Sequence, residues 1–274
     1  MIKRGWLQDG DASMLESQMD RFFDGNIPHL AAKKTSYYDE IQPVQLAWLF
    51  RVKQIAESLA VPRYSEKSLQ DALPHLRQLL SEPEEVRHVP RILSECGVRF
   101  TVVEGLPAGK IDGVCLWIDS SSPVIGLSLR HDRIDNFWFV LRHEIEHILR
   151  KDGQPRRGHN GGPPILDDLD GDNASTTNEK LPLPERIANS AAAEFSLPKE
   201  EIESFILRKS PYFSERDIVG FARRLQVHPG IVVGQIQNRT GRWELLRKYL
   251  VKVRQFVIPS AVADGWGQVA PVSI

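Results

Sequence analysis

Five consecutive residues, His143-Glu144-Ile145-Glu146-His147, have the form H-E-x-x-H. On a helix, positions four apart lie one above the other. His143 and His147 can therefore present two imidazole nitrogens to one metal ion. Glu144 follows His143 by about 100° of helical rotation. Its carboxylate can reach a water on the ion and take a proton from it without being a ligand. The chemistry that such a set performs is metal-assisted hydrolysis.

Two imidazoles do not hold a catalytic zinc, which takes three protein ligands and keeps a fourth position for water. The other histidines are His29, His75, His88, His131, His159 and His228, and none follows at the spacing of the longer three-histidine pattern. The chain has only two cysteines, Cys96 and Cys115, which excludes a four-thiolate site and a disulfide framework. A carboxylate is needed. The next helix opens Pro184-Glu185-Arg186-Ile187-Ala188-Asn189 and carries Glu194 further along. Glu185 and Asn189 share one face, so Glu185 can ligate while Asn189 orients a ligand. Glu194 lies about 180° around from Glu185, so only one of the two can face the ion. Each also has an ordinary reading: Glu185 as a first-turn carboxylate favoured by the helix dipole, Glu194 as a solvated side chain.

These residues need elements to hold them. Apolar residues recur at helical spacing over 44–60 and over Lys67 to Leu80, and a third helix is predicted from about Glu84 to Glu95, stopped by Gly97. A short amphipathic helix can form around Leu15, Met19, Phe22 and Phe23. The period then changes to two. Val98-Phe100-Val102, Val114-Leu116-Ile118 and the run Val124 to Leu129 read as strands. A helix from about Ile134 to Arg150 follows, with Asp132 or Asp135 as its cap and Phe137, Val140, Leu141, Ile145 and Ile148 as its buried face. Further helices are predicted over Glu185 to Ser196, Lys199 to Arg208, Ser214 to Leu225 and Ile231 to Gln237, with a last amphipathic segment over Leu245 to Phe256. The expected fold is α+β: a small three-stranded sheet packed against a zincin-type H-E-x-x-H helix, with helices around it.

The run from about Val89 to Ile236 resembles the ImmA/IrrE metallopeptidases. The likeness rests on the order helix, three strands, H-E-x-x-H helix, then a helix opening Glu185-Arg186-Ile187-Ala188-Asn189 and closing at Leu197-Pro198. The resemblance implies Zn2+ held by His143, His147 and Glu185, with Glu144 as general base. It also implies a cytoplasmic endopeptidase that cuts regulatory proteins such as repressors or antitoxins. Leu46 to Ile92 is similar to the linker of fusions in which a HigA-like, XRE-type helix-turn-helix precedes this peptidase. Residues 1–40 carry no such motif, so the chain is expected to be the second half of a split or truncated fusion. Two departures stand out. Glu146 occupies a position that is often Gly in the family, and the connection over 152–184 is longer than usual.

The expected organisation is a helical region over 1–88, a peptidase domain over 89–258 and a tail over 259–274. The domain is interrupted at 152–184 by a Gly-, Pro- and Asp-rich insertion read as loop. Within that insertion, Asp168 to Glu179 brushes the EF-hand pattern but has Asn173 where the turn needs Gly.

Net charge is −1, from 35 Lys+Arg against 36 Asp+Glu, so no whole-chain basic field exists for nucleic acid. Residues 208–254, however, carry eleven Lys+Arg against three acids. Asp217 to Gln237 there has the spacing of a helix-turn-helix, with Arg223 and Arg224 as the first phosphate contacts. The alternative function is therefore a DNA-binding, antitoxin-like regulator whose metal site is vestigial or structural. No apolar run approaches a membrane span and no secretory signal is read. The expected partner is a protein substrate, with DNA secondary and no membrane. His131, Tyr212 and His228 are candidates, by residue type alone, for stabilising an oxyanion.

Overall fold

The computed structural model describes residues 1–23, 42–155, 165–167 and 181–272. Its centre is one mixed sheet built from β1 (Arg99–Val103), β2 (Gly113–Trp117), β3 (Pro123–Leu127), β4 (Ile165–Asp167) and β5 (Val262–Asp264). The spatial order is β4-β2-β3-β1-β5. β1 runs parallel to β3 and β5, whereas β2 runs antiparallel to β3 and β4. The α+β class is as expected, but the sheet is wider than three strands. The two additions are three residues each, too short for a periodic signal, and they come from segments read as loop and tail.

Both faces of the sheet are covered. Phe100, Val102, Cys115, Trp117, Ile125 and Leu127 point into the larger core, beside the helix α5 (Ile134–Arg150). Val103, Val114, Leu116 and Val124 point the other way, into a second core with Trp48, Leu49 and Val52 of the helix α2 (Pro43–Ser58). Successive side chains of a strand face opposite sides, so a sheet roofed on both sides buries every position of β2 and β3. Gly126 lets α2 approach: a Cβ there would stand 2.7 Å from Val52 Cγ1.

The N-terminal part holds α1 (Ala12–Phe22), α2 and α3 (Glu66–Gln78). The helix expected over 84–95 is split into a 3-10 segment at Pro83–His88 and α4 (Val89–Glu95). After the sheet and α5 come α6 (Leu183–Ser196), α7 (Lys199–Lys209), α8 (Glu215–Leu225), α9 (Pro229–Thr240) and the single turn α10 (Arg254–Val257). The amphipathic segment expected over Leu245 to Phe256 is thus mostly a 3-10 turn and coil. The segment beyond 258 is not a free tail. It supplies β5, and Asp264 at its end receives Trp6 Nε1 at 2.7 Å, Arg51 Nε at 2.9 Å and the backbone N–H of Ala270 at 3.0 Å. One buried carboxylate thereby ties together the first residues, α2 and the chain's last portion. No helix among the described residues is long and apolar enough to cross a membrane.

Candidate metal centre

The helix α5 spans the residues that its sequence predicts, and it is buried on almost every side. Its cap differs from expectation. Arg133 stands at the N-cap position with no side-chain bond. Asp132 instead accepts from the backbone N–H groups of Val253 and Arg254, at 2.9 and 2.8 Å, and Asp135 pairs with Arg133. Asp132 thus ties the start of α5 to the chain around Val253, and neither carboxylate caps the helix with a side-chain bond.

One face of α5 packs along α6. The contact stripe of α6 is Glu185, Ala188, Ala192 and Ser196, all buried. Small residues at 188 and 192 let the two helix axes come close, so the carboxylate of Glu185 reaches the imidazoles of α5. Nε2 of His143 lies 3.0 Å from Nε2 of His147 and 3.3 Å from Oε2 of Glu185. Nε2 of His147 lies 3.7 Å from Oε1 of Glu185. Both histidines are fully buried and Glu185 nearly so. A tetrahedral ion with ligands at 2.0–2.2 Å separates its ligand atoms by about 3.3–3.6 Å. The three observed separations, two of them to different oxygens of Glu185, lie around that range, and two imidazoles with one carboxylate is a donor set that zinc accepts. Among the described residues, His143, His147 and Glu185 form a buried group able to hold a metal ion.

The rivalry between the two carboxylates of α6 is resolved by the helix face. Glu194 is exposed, and its Oε2 accepts the backbone N–H of Lys199 at 2.9 Å at the start of α7. Glu144 is fully buried on the sheet side of α5. Gly113, the first residue of β2, makes room for it: a Cβ at that position would run into Glu144 Oε1 and stand 2.7 Å from Val140 Cγ1.

Asp152 is the site residue that sequence reading misses. Lys151 adopts a left-handed conformation with φ +61°. The N–H of Lys151 then bonds to the carbonyl of Ile148 at 3.0 Å, and the N–H of Asp152 to that of His147 at 2.9 Å. This pair of reversed bonds is the Schellman closure of a helix. It folds Asp152 back onto the last turn, with Oδ2 3.0 Å from Nδ1 of His147. An ionised carboxylate only accepts, so Nδ1 carries the proton and the Nε2 lone pair is left toward His143 and Glu185. Arg150 Nε stands 3.4 Å from the same Oδ2, and Trp117 Nε1 donates to the Asp152 carbonyl at 3.0 Å. The turn that carries Asp152 is therefore pinned to the end of β2.

Asn189 is half-buried next to this group, and its Oδ1 has no hydrogen-bond partner among the described residues. Among the described residues, the carboxylate facing Nδ1 of His147 is that of Asp152. Glu146 pairs with Arg142 at 2.8 Å, one helical turn away, so its charge is answered there and does not join the ligand set. Cys96 and Cys115 are buried thiols outside any disulfide, and burial pushes the Cys96 thiol up, away from thiolate chemistry.

The oxyanion candidates fare differently. His228 caps α9: its Nδ1 accepts the Gly230 N–H at 3.0 Å. A Cβ on Gly230 would touch Ile134, nine residues before His143, or about 13 Å along the axis of α5. Tyr212 is 86% exposed on the turn between α7 and α8. His131 lies just before α5, between Arg130 and Asp132.

α8 and α9 do form two helices joined by a short turn. Yet Gly230 to Gly234, Ile236 and Gln237 of α9 are all buried, and α9 packs on α5 through Gly234, where a Cβ would clash with the Asp135 carboxylate. A recognition helix must offer its side chains to a groove, and this one is spent on the core. Arg224 is engaged by Glu201 at 2.6 Å. His29, His159 and the EF-hand-like run Asp168 to Glu179 lie outside the described residues. No family model matches the chain, and no curated protein matches it.

Proposed function

We propose that this chain is a zinc-dependent endopeptidase, acting on a regulatory protein such as a repressor or antitoxin. The reading rests on one observation. The buried side chains of His143, His147 and Glu185 bring one ligand atom each to within 4.8 Å of one another, with the buried carboxylate of Glu144 next in sequence to His143 on the same helix. The chain's two cysteines are buried thiols outside any disulfide, in keeping with a reducing cytoplasm.

His143, His147 and Glu185 would hold the ion. Bound there, zinc supplies Lewis acidity that makes water easier to deprotonate and a carbonyl easier to attack. The rest is done by the chain. Glu144 takes the proton of the attacking water and delivers it to the amine that leaves when the C–N bond breaks. Its burial keeps competing water away from the site. Asp152 holds the His147 proton on Nδ1, which keeps Nε2 a ligand and the ring in one orientation. Arg150 and the Trp117 indole hold Asp152 in turn.

The test pairs metal content with turnover. Zinc-loaded protein should carry about one ion per chain and hydrolyse peptide bonds. Glu144→Gln should retain the ion and lose at least a hundredfold in rate, the scale of general-base catalysis. Retained hydrolysis in Glu144→Gln removes the assigned base, and failure to bind zinc removes the site.

A further inference from the structure

β2 is the strand that lies against Glu144, and its outer edge is covered by a piece of this same chain. Ile165–Asp167 pairs with it antiparallel, in the register Cys115 to Ile165, Val114 to Leu166 and Gly113 to Asp167. Gly113 is the residue whose missing Cβ makes room for the Glu144 carboxylate. β4 therefore passes the sheet edge at the level of Glu144, one strand spacing away, or about 5 Å.

An extended polypeptide laid on a strand edge gains affinity from main-chain hydrogen bonds, whatever its sequence. Such a backbone beside Glu144 is what hydrolysis of an internal peptide bond requires. The position is occupied by only three residues, set in a segment rich in Gly, Pro and Asp. So short a strand contributes few ladder bonds, and exchange with another strand costs correspondingly little.

We propose that Ile165–Asp167 fills the strand position in which an extended peptide substrate pairs with β2, so that the chain blocks its own site until β4 is displaced. The term substrate here rests on the peptidase reading above. The occupant sets the class of competitor: an extended segment with two aliphatic residues followed by an acid, as in Ile165-Leu166-Asp167.

The experiment follows strand exchange directly and without turnover. All proteins are zinc-loaded and carry Glu144→Gln. The probe is a fluorescein-labelled synthetic peptide with the sequence of Asn160 to Asp172, read by fluorescence anisotropy. Ladder bonds in an antiparallel pair engage alternate residues, so one of Ile165→Pro and Leu166→Pro must remove a bonded N–H. The expected result is at least tenfold tighter peptide binding in one proline variant than in the parent, with amides of Val114 to Leu116 exchanging at least tenfold faster when no peptide is present. Equal affinity in all three proteins, absence of binding in all, or unchanged exchange would overturn the proposal. If the proline variants do not fold, Ile165→Gly with Leu166→Gly weakens the strand without removing a donor, and a threefold change in each readout is then required. Because no hydrolysis is measured, failure here leaves the metal chemistry standing, and failure of hydrolysis leaves the strand seat standing.

Discussion

Oδ2 of Asp152 stands 3.0 Å from Nδ1 of His147, while Nε2 of the same ring stands 3.0 Å from Nε2 of His143. One imidazole thus faces a carboxylate on one side and a second imidazole on the other. A ring held in this way has its proton fixed and its lone pair aimed, which lowers the entropic cost of taking up a cation. Asp152→Ala is expected to weaken zinc binding about 10–100-fold, as read by competition with a chromophoric chelator, with Asp152→Asn less affected because an acceptor remains. Unchanged affinity in Asp152→Ala would show that the contact is incidental.

Gly113 and Glu144 make a second separable claim. Gly113→Ala sets a methyl group against the Glu144 carboxylate and Val140. The carboxylate or the strand must give way, at a cost of about 1–3 kcal/mol. Zinc stoichiometry should stay at one per chain while hydrolysis falls at least tenfold. Loss of metal together with activity would place Gly113 in the support of the ligands rather than of the base.

The buried pair Arg51 and Asp264 carries a stability prediction. Both side chains are at most 4% exposed. Asp264→Ala leaves the Arg51 guanidinium buried without its counter-charge, at about 3–5 kcal/mol. Replacing both, as Arg51→Met with Asp264→Leu, should recover the part of that loss due to the unpaired charge, while the Trp6 indole and the Ala270 N–H still lose their acceptor. Urea denaturation of the three proteins checks this, and a double variant no better than the single one counts against it.

His228 adds a pH dependence away from the metal. Burial lowers its pKa below the usual value, with Glu84 pulling weakly the other way. The folded state therefore prefers the neutral ring, whose Nδ1 accepts the Gly230 N–H. Its contribution is fully present above about pH 6.5 and is lost as pH falls through the lower folded value. His228→Asn keeps a capping acceptor and removes the titration. The melting temperature of the variant should fall less between pH 7.5 and 5 than that of the parent. Parallel curves would deny His228 this role.

Much of this arrangement is legible in the residues. The five apolar positions from Phe137 to Ile148 delimit α5, and the alternation at Val98-Phe100-Val102 marks β1. The same alternation misleads about solvent. Thr101 reads as an exposed position and is fully buried, because α2 roofs the second face and its Oγ1 donates to the Val262 carbonyl. β4 and β5 were illegible because three residues carry no period, and β5 depends on Asp264 finding Arg51, more than two hundred positions away. Glu185 and Glu194 could be ranked only by the face they occupy. The stripe through Ala188 and Ala192 decides it, and that stripe is visible in the sequence once α5 is taken as its partner. Asp152 was hidden by its turn. A helix closure of this kind normally advertises itself with Gly in the left-handed position, and here Lys151 stands there while Gly153 comes two residues late. The usable signal is an acid five residues after the second histidine, within reach of its ring.

The claim that most of this rests on is the ligand set, and zinc-edge X-ray absorption on protein loaded with one equivalent of zinc tests it most directly. The expected first shell is nitrogen and oxygen only, at about 2.0–2.1 Å, with the outer scattering of two imidazoles. A sulfur scatterer at about 2.3 Å, or a shell of water oxygens without imidazole, would contradict it.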